Sequence, residues 1–182
     1  VATVNNGVIE VVGPGTASVT ATVGTDSIGV FGSVTVTGFM SPTEPAPTPT
    51  VPAGDVISMF SGAYQDIFID TWRTDWSQSG PVQDFAVDGN NTKMYTSLIY
   101  AGINFETQMI NASEMTHFHV DVYAPSGTNF KVKLGSFPPD IPGVESQDLI
   151  LDATSTPAFN PGGWSSLEIP LADFSTPDDF DW

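Results

Sequence analysis

The chain has 182 residues, and 4 lysines and arginines stand against 21 aspartates and glutamates, a formal net charge of −17. That balance argues against DNA, RNA and anionic membrane surfaces as partners, since each of them calls for basic patches. Cysteine is absent, so disulfides, zinc–thiolate sites and thiol catalysis are excluded.

No apolar run approaches the ~20 residues of a membrane helix. The opening VATVNNG does not look like a native start, and a removed leader is expected. Turn signals such as NNG, GPG, DGNN, PSG and NPGG separate short runs rich in Val, Thr, Ile, Phe and Tyr. That is an all-β pattern.

In residues 1–39, strands are expected at about 1–5, 8–12, 16–23 and 30–37, with a tight turn at Gly13-Pro14-Gly15. Alternation puts Val19, Ala21 and Val23 on one face and Ser18, Thr20 and Thr22 on the other. The stretch VATVNNGVIEVVGPGTASVTATVG resembles the second half of a bacterial immunoglobulin-like domain of group 2. The resemblance implies a partial Ig-like β-sandwich whose first strands lie upstream, and a spacer or adhesive role on a secreted bacterial protein.

Residues 40–54, MSPTEPAPTPTVPAG, are dominated by Pro and Thr. Such a run favours extended polyproline II and reads as a semi-rigid linker between two domains.

From residue 55 to 182, strands are expected near 56–60, 66–70, 82–87, 93–99, 102–109, 116–123, 129–135, 147–152 and 164–169. A single helical turn is expected at Leu171–Phe174. The count suggests a jelly-roll-like β-sandwich. The motifs DTWRTDW, KMYTSLIYAGINF, MTHFHVDVYAP, FKVKL and WSSLEIPLADF resemble a carbohydrate-binding-type sandwich module. Such modules occur in secreted Bacteroidetes glycoside hydrolases of laminarinase type and in surface glycan-binding proteins. The resemblance covers residues 55–174 and implies a glycan-binding fold whose C-terminal strand is missing here.

Both histidines fall in MTHFHVDVYAP. Alternation assigns Phe118, Val120 and Val122 to the core and His117, His119, Asp121 and Tyr123 to the opposite face. Across the turn PSGTN, a hairpin would place Lys131 and Lys133 beside that polar face. Three readings are open: cross-strand charge pairing, a glycan-contacting face, or metal binding by H-x-H-x-D. A catalytic zinc needs three protein ligands and an open position, and adjacent lysines would repel a cation.

Sugar platforms are sought among Trp72, Trp76, Tyr64, Tyr100 and Trp164, because pyranose C–H faces stack on aromatic rings. Packing is the favoured role for Trp164. DTWRTDW reads as a loop, where sites concentrate. Arg73, the single arginine, would bind a carboxylate or sulfate group or pair with Asp70 or Asp75. Calcium candidates are Asp140, Glu145, Asp148, Asp152, Asp178, Asp179 and Asp181, on composition alone. Asn90 and Asn111 stand in N-x-S/T sequons. No nucleophile elbow, P-loop or dinucleotide fingerprint occurs.

The resemblances imply non-catalytic polysaccharide binding at an extracellular or cell-surface location, with a β-glucan or other marine glycan as partner; no cofactor is certain, and a structural calcium stays an open option. The alternative is a structural or adhesive module of a stalk or filament, self-associating through unpaired strand edges.

Overall fold

The computed structural model describes residues 2–5, 8–11, 15–23, 26–36, 41–138 and 142–182, and side chains from residue 41 onward within that set. The Gly13–Pro14 turn and the side-chain faces assigned to residues 18–23 lie outside it. The chain divides into two compact units, Val1–Ser41 and Pro42–Trp182.

In the first unit, β1 (Ala2–Asn5) pairs antiparallel with β2 (Val8–Val11), and β3 (Gly15–Val23) with β4 (Asp26–Val36). The β3–β4 ladder carries register shifts at Val19/Thr20 and Ala21/Thr22. Such irregularities sharpen local twist. Among the described residues the two ribbons share no ladder.

The second unit contains β5 (Val82–Val87), β6 (Asn90–Tyr95), β7 (His117–Tyr123), β8 (Asn129–Val132), β9 (Gly135–Ser136), β10 (Val144–Glu145), β11 (Leu149–Asp152) and β12 (Trp164–Pro170). They form four two-stranded antiparallel sheets: β5–β6, β7–β12, β8–β11 and β9–β10. The β5–β6 turn is Asp88-Gly89, both with positive φ (47° and 81°). A type I′ hairpin turn requires this, and Asp-Gly supplies it at low cost.

This topology overturns the expected fold. All-β character is present, but the ladders are small, separate, two-stranded units. Among the described residues neither a partial Ig-like sandwich nor a jelly-roll-like sandwich is formed, so both family resemblances fail as guides to the architecture. The physical reason is that alternation fixes which face of a strand turns inward but does not choose its ladder partner. Expected strands at 56–60, 66–70 and 102–109 reduce to isolated bridges, Ser58 with Asp66 and Thr71 with Asn104, and a 3₁₀ turn at Glu106–Gln108. The expected turn at 171–174 is a 3₁₀ turn, Leu171–Asp173.

The expected hairpin between 116–123 and 129–135 is also replaced. β7 pairs with β12, in the register Phe118 opposite Ile169, Val120 opposite Leu167 and Val122 opposite Ser165. β8 pairs with β11, Val132 opposite Leu149 and Phe130 opposite Leu151. The inward faces of these two ribbons supply Leu167, Ile169, Val132 and Leu151 to one buried cluster completed by Phe159 and Phe174. Phe118, Val120, Val122 and Phe130 pack against it. Phe130 stacks on Phe159 at 6.0 Å, and Phe118 meets Phe174 edge-on at 6.4 Å. Each large aliphatic side chain buried there contributes about 1.5–3 kcal/mol.

The Pro/Thr run is held against the second unit at two points. The Trp164 indole Nε1–H donates to the Glu44 carbonyl at 2.8 Å, and the Tyr64 hydroxyl donates to the Val51 carbonyl at 2.7 Å.

Candidate functional site

The segment 71–80 has few apolar residues to bury, and its backbone is organised by hydrogen bonds to 96–104. Thr71 and Asn104 exchange N–H···O bonds at 3.1 and 2.9 Å. Thr74 N–H donates to Gly102 O at 3.1 Å, Gln78 N–H to Tyr100 O at 2.9 Å, and Gly80 N–H to Thr96 O at 2.7 Å. Ser77 is buried, and its hydroxyl accepts from Gly102 N–H and bonds Thr74 Oγ1. The ladder sets Trp76 beside Tyr100. Their rings stack at 6.2 Å and 27°, with Trp76 63% exposed. Beneath the indole lies Gly102, where a Cβ would fall 2.1 Å from Trp76 Cη2. The ring therefore rests on bare backbone.

Beside this shelf is an open depression of about 430 Å³ lined by Thr71, Arg73, Thr74, Asp75 and Trp76. Arg73 pairs with neither Asp70 nor Asp75. Its Nε donates to Ser79 Oγ, and its Nη2 donates to the carbonyls of Ser77 and Ser79, each at 3.2 Å. The guanidinium thus braces its own loop. Asp70 instead accepts from the Thr107 hydroxyl and N–H, which hold its carboxyl below the usual value.

Other aromatic candidates take structural positions. Trp72 lies half-buried, edge-on to Phe60 at 5.5 Å, with the Lys93 ammonium 5.2 Å from its ring. The Tyr95 hydroxyl, its pKa raised by burial, donates to the Trp72 carbonyl at 2.6 Å. Tyr64 is tied to Val51, and Tyr123 packs edge-on to Trp164 at 5.7 Å. Of the sequence-predicted platforms, only Trp76 and Tyr100 come together as an exposed pair.

The histidine strand carries a second polar group. His119, Asp121 and Tyr123 share the outward face of β7 with Glu168, Ser166 and Trp164 of β12. His119 Nδ1 lies 2.7 Å from Glu168 and Nε2 3.4 Å from Asp121. The Asp121 hydrogen bond contributes most to raising the imidazole from 6.5 to about 9, partly offset by burial and helped by Glu168. Glu168 is nearer, but its side chain is 54% exposed against 16% for Asp121, so water weakens its effect. Burial pushes the Asp121 carboxyl up, while hydrogen bonds from His119 and Ser166 outweigh it and leave it lowered. An imidazolium donating from both nitrogens offers no lone pair to a metal. His117 is exposed and bonds Thr116 Oγ1 at 2.8 Å. The two histidines do not converge.

The lysines expected beside this face pair elsewhere. Lys131 meets Asp148 at 3.4 Å, and Lys133 meets Glu145 at 3.3 Å and Asp148 at 3.6 Å. Among the described residues, no group of three or more His, Cys, Asp or Glu side chains is placed to hold a metal ion. Glu145 and Asp148 serve the lysines, Asp152 accepts from Thr154 and Ser155, and Asp178 and Asp179 lie in a turn. Asp181 is exposed, and Asp140 lies outside the described residues.

Reading the sequence missed Gly102, Asp75 and Glu168. A lone glycine inside the strand-like YAGINF signals close approach of a neighbour and could have flagged Gly102. Glu168 had no such signal, because only the β7–β12 register brings it to His119.

Comparison with known proteins adds no family: no family model, curated protein or solved structure matches the chain. Among the described residues no helix is long and apolar enough to cross a membrane.

Proposed function

We propose that this chain is a non-catalytic polysaccharide-binding module working outside the cell or at its surface. One observation carries the reading: Trp76 and Tyr100 form an exposed, stacked, backbone-anchored shelf beside an open depression. Sugar C–H faces pack on such rings, and Asp75 at the rim accepts hydroxyl hydrogen bonds. The reading rests on this site and not on a sandwich fold. Single-site affinity would be weak and would gain from tethering or repetition.

Affinity electrophoresis against a panel of polysaccharides tests it. The intact chain is expected to be retarded by at least one glycan. Trp76→Ala is expected to abolish retardation while leaving the thermal midpoint unchanged, since the ring is largely outside the core. A panel that leaves the wild-type chain unretarded removes the reading.

The structural, adhesive reading is supported by a separate observation. Each strand of a two-stranded ribbon has one edge without a ladder partner among the described residues. Such edges accept strands from neighbours. Concentration-dependent sedimentation, or ordered fibres in micrographs, would favour it; a monomer at all concentrations would count against it.

A further inference from the structure

We infer that the polysaccharide taken by the Trp76–Tyr100 shelf is uncharged. This rests on the binding reading above and narrows its substrate class. A sulfated or uronate-rich glycan carries repeated negative charge and needs cations that are free to meet it. The chain has four lysines and arginines in all. Each is engaged within the fold. Lys93 contacts Asp84 at 2.6 Å and lies over the rings of Phe60 and Trp72. Lys131 of β8 is held by Asp148, and Lys133, just beyond β8, by Glu145 of β10 and by Asp148. Arg73 directs three of its five N–H donors into Ser77 and Ser79 of its own loop.

The depression itself is balanced against anions. Asp75 lines it together with Arg73, and no described hydrogen bond or ion pair engages the Asp75 carboxylate. An ionised carboxylate only accepts. It therefore welcomes hydroxyl donors and repels sulfate or carboxylate oxygens placed beside Trp76. The chain as a whole carries 21 acidic residues, Asp75 included, and a net charge of −17, so the long-range field also opposes a polyanion. What remains attractive is a hydroxyl-rich, uncharged ring: apolar C–H face on the indole, hydroxyls on Asp75.

The test pairs one neutral β-glucan with the same glucan after chemical sulfation, each titrated into the full chain at low and high salt. The neutral polymer is expected to bind with an affinity that changes less than about twofold between the two salts, because no ion pair is screened. The sulfated polymer is expected to bind at least about tenfold more weakly. Asp75→Asn is expected to weaken the neutral glucan and to narrow the gap between the two polymers. Equal or tighter binding of the sulfated polymer, or retention that collapses with salt, overturns the uncharged-ligand inference and leaves the binding reading standing. Failure of both polymers, after failure of the wider panel, removes the binding reading and the inference with it.

Discussion

Between residues 116 and 174 most large apolar side chains turn inward, and Val132, Leu151, Phe159, Leu167, Ile169 and Phe174 form one buried cluster, with Phe137 and Ile150 left exposed. Between residues 56 and 110 the same kinds of side chain face solvent. Phe68, Trp76, Leu98, Ile99, Tyr100, Ile103 and Met109 are all exposed, and Val87 is the buried apolar residue there. The first region has two seven- and four-residue ladder systems facing a common interior, and burial supplies its stability. The second is held mainly by backbone bridges and side-chain braces such as Arg73 and Ser77, which leaves its aromatics free for a ligand. Stability and recognition are thus carried by different stretches of one unit.

The sharpest way to break that contrast is Leu167→Ala. Its side chain is fully buried at the centre of the cluster, and truncation is expected to cost about 2–5 kcal/mol. Ile99→Ala, at a residue 75% exposed, is expected to change stability by less than about 0.5 kcal/mol. Urea unfolding of both variants measures the difference; similar losses would show that the exposed strip is part of the core.

A smaller effect is expected from His119, and its sign follows from the raised pKa. Protonated imidazole is favoured in the folded state, so its stabilisation is fully present below about pH 6.5 and is lost as pH rises through about 9. The side chain is 40% exposed, and with solvent screening the loss is about 1 kcal/mol. Asp121, held lower than usual, contributes in the opposite window: its share is present above about pH 3.8 and fades as pH falls through its depressed value. His119→Gln is expected to flatten the thermal-midpoint profile between pH 6.5 and 9. An unchanged slope would mean that the Glu168–His119–Asp121 group does not hold the outward face.

A local effect, confined to the aromatic shelf, is expected from Gly102→Ala. The new methyl group would fall 2.1 Å from Trp76 Cη2 and 2.8 Å from Thr74 Oγ1, so the indole must shift and stability falls by about 1 kcal/mol. The displaced indole no longer stacks on Tyr100. Tryptophan fluorescence should shift, and polysaccharide retardation should be lost as in Trp76→Ala.

Legibility followed the same divide. In MTHFHVDVYAP, alternation alone separated Phe118, Val120 and Val122 from their polar neighbours, because a strand turns successive side chains to opposite faces. The same periodicity could not say that β7 would pair with β12 instead of β8. That error moved the lysines to the wrong side and hid Glu168. In DTWRTDW no periodicity operates, and composition treated Trp72 and Trp76 alike. The bridges to Tyr100 and Gly102 exposed one indole, while Phe60 and Lys93 covered the other.

By itself, the sequence determined the all-β character, the inward residues of the long strands, the Asp88-Gly89 turn and the acidic, cysteine-free surface. All of these are local or compositional properties. Only the tertiary structure decided which strands pair, that the ladders remain two-stranded, that Arg73 braces a loop, and that Trp76 lies open on Gly102. Those outcomes depend on contacts between residues distant in the chain, and a period of two in one segment carries no record of its partner.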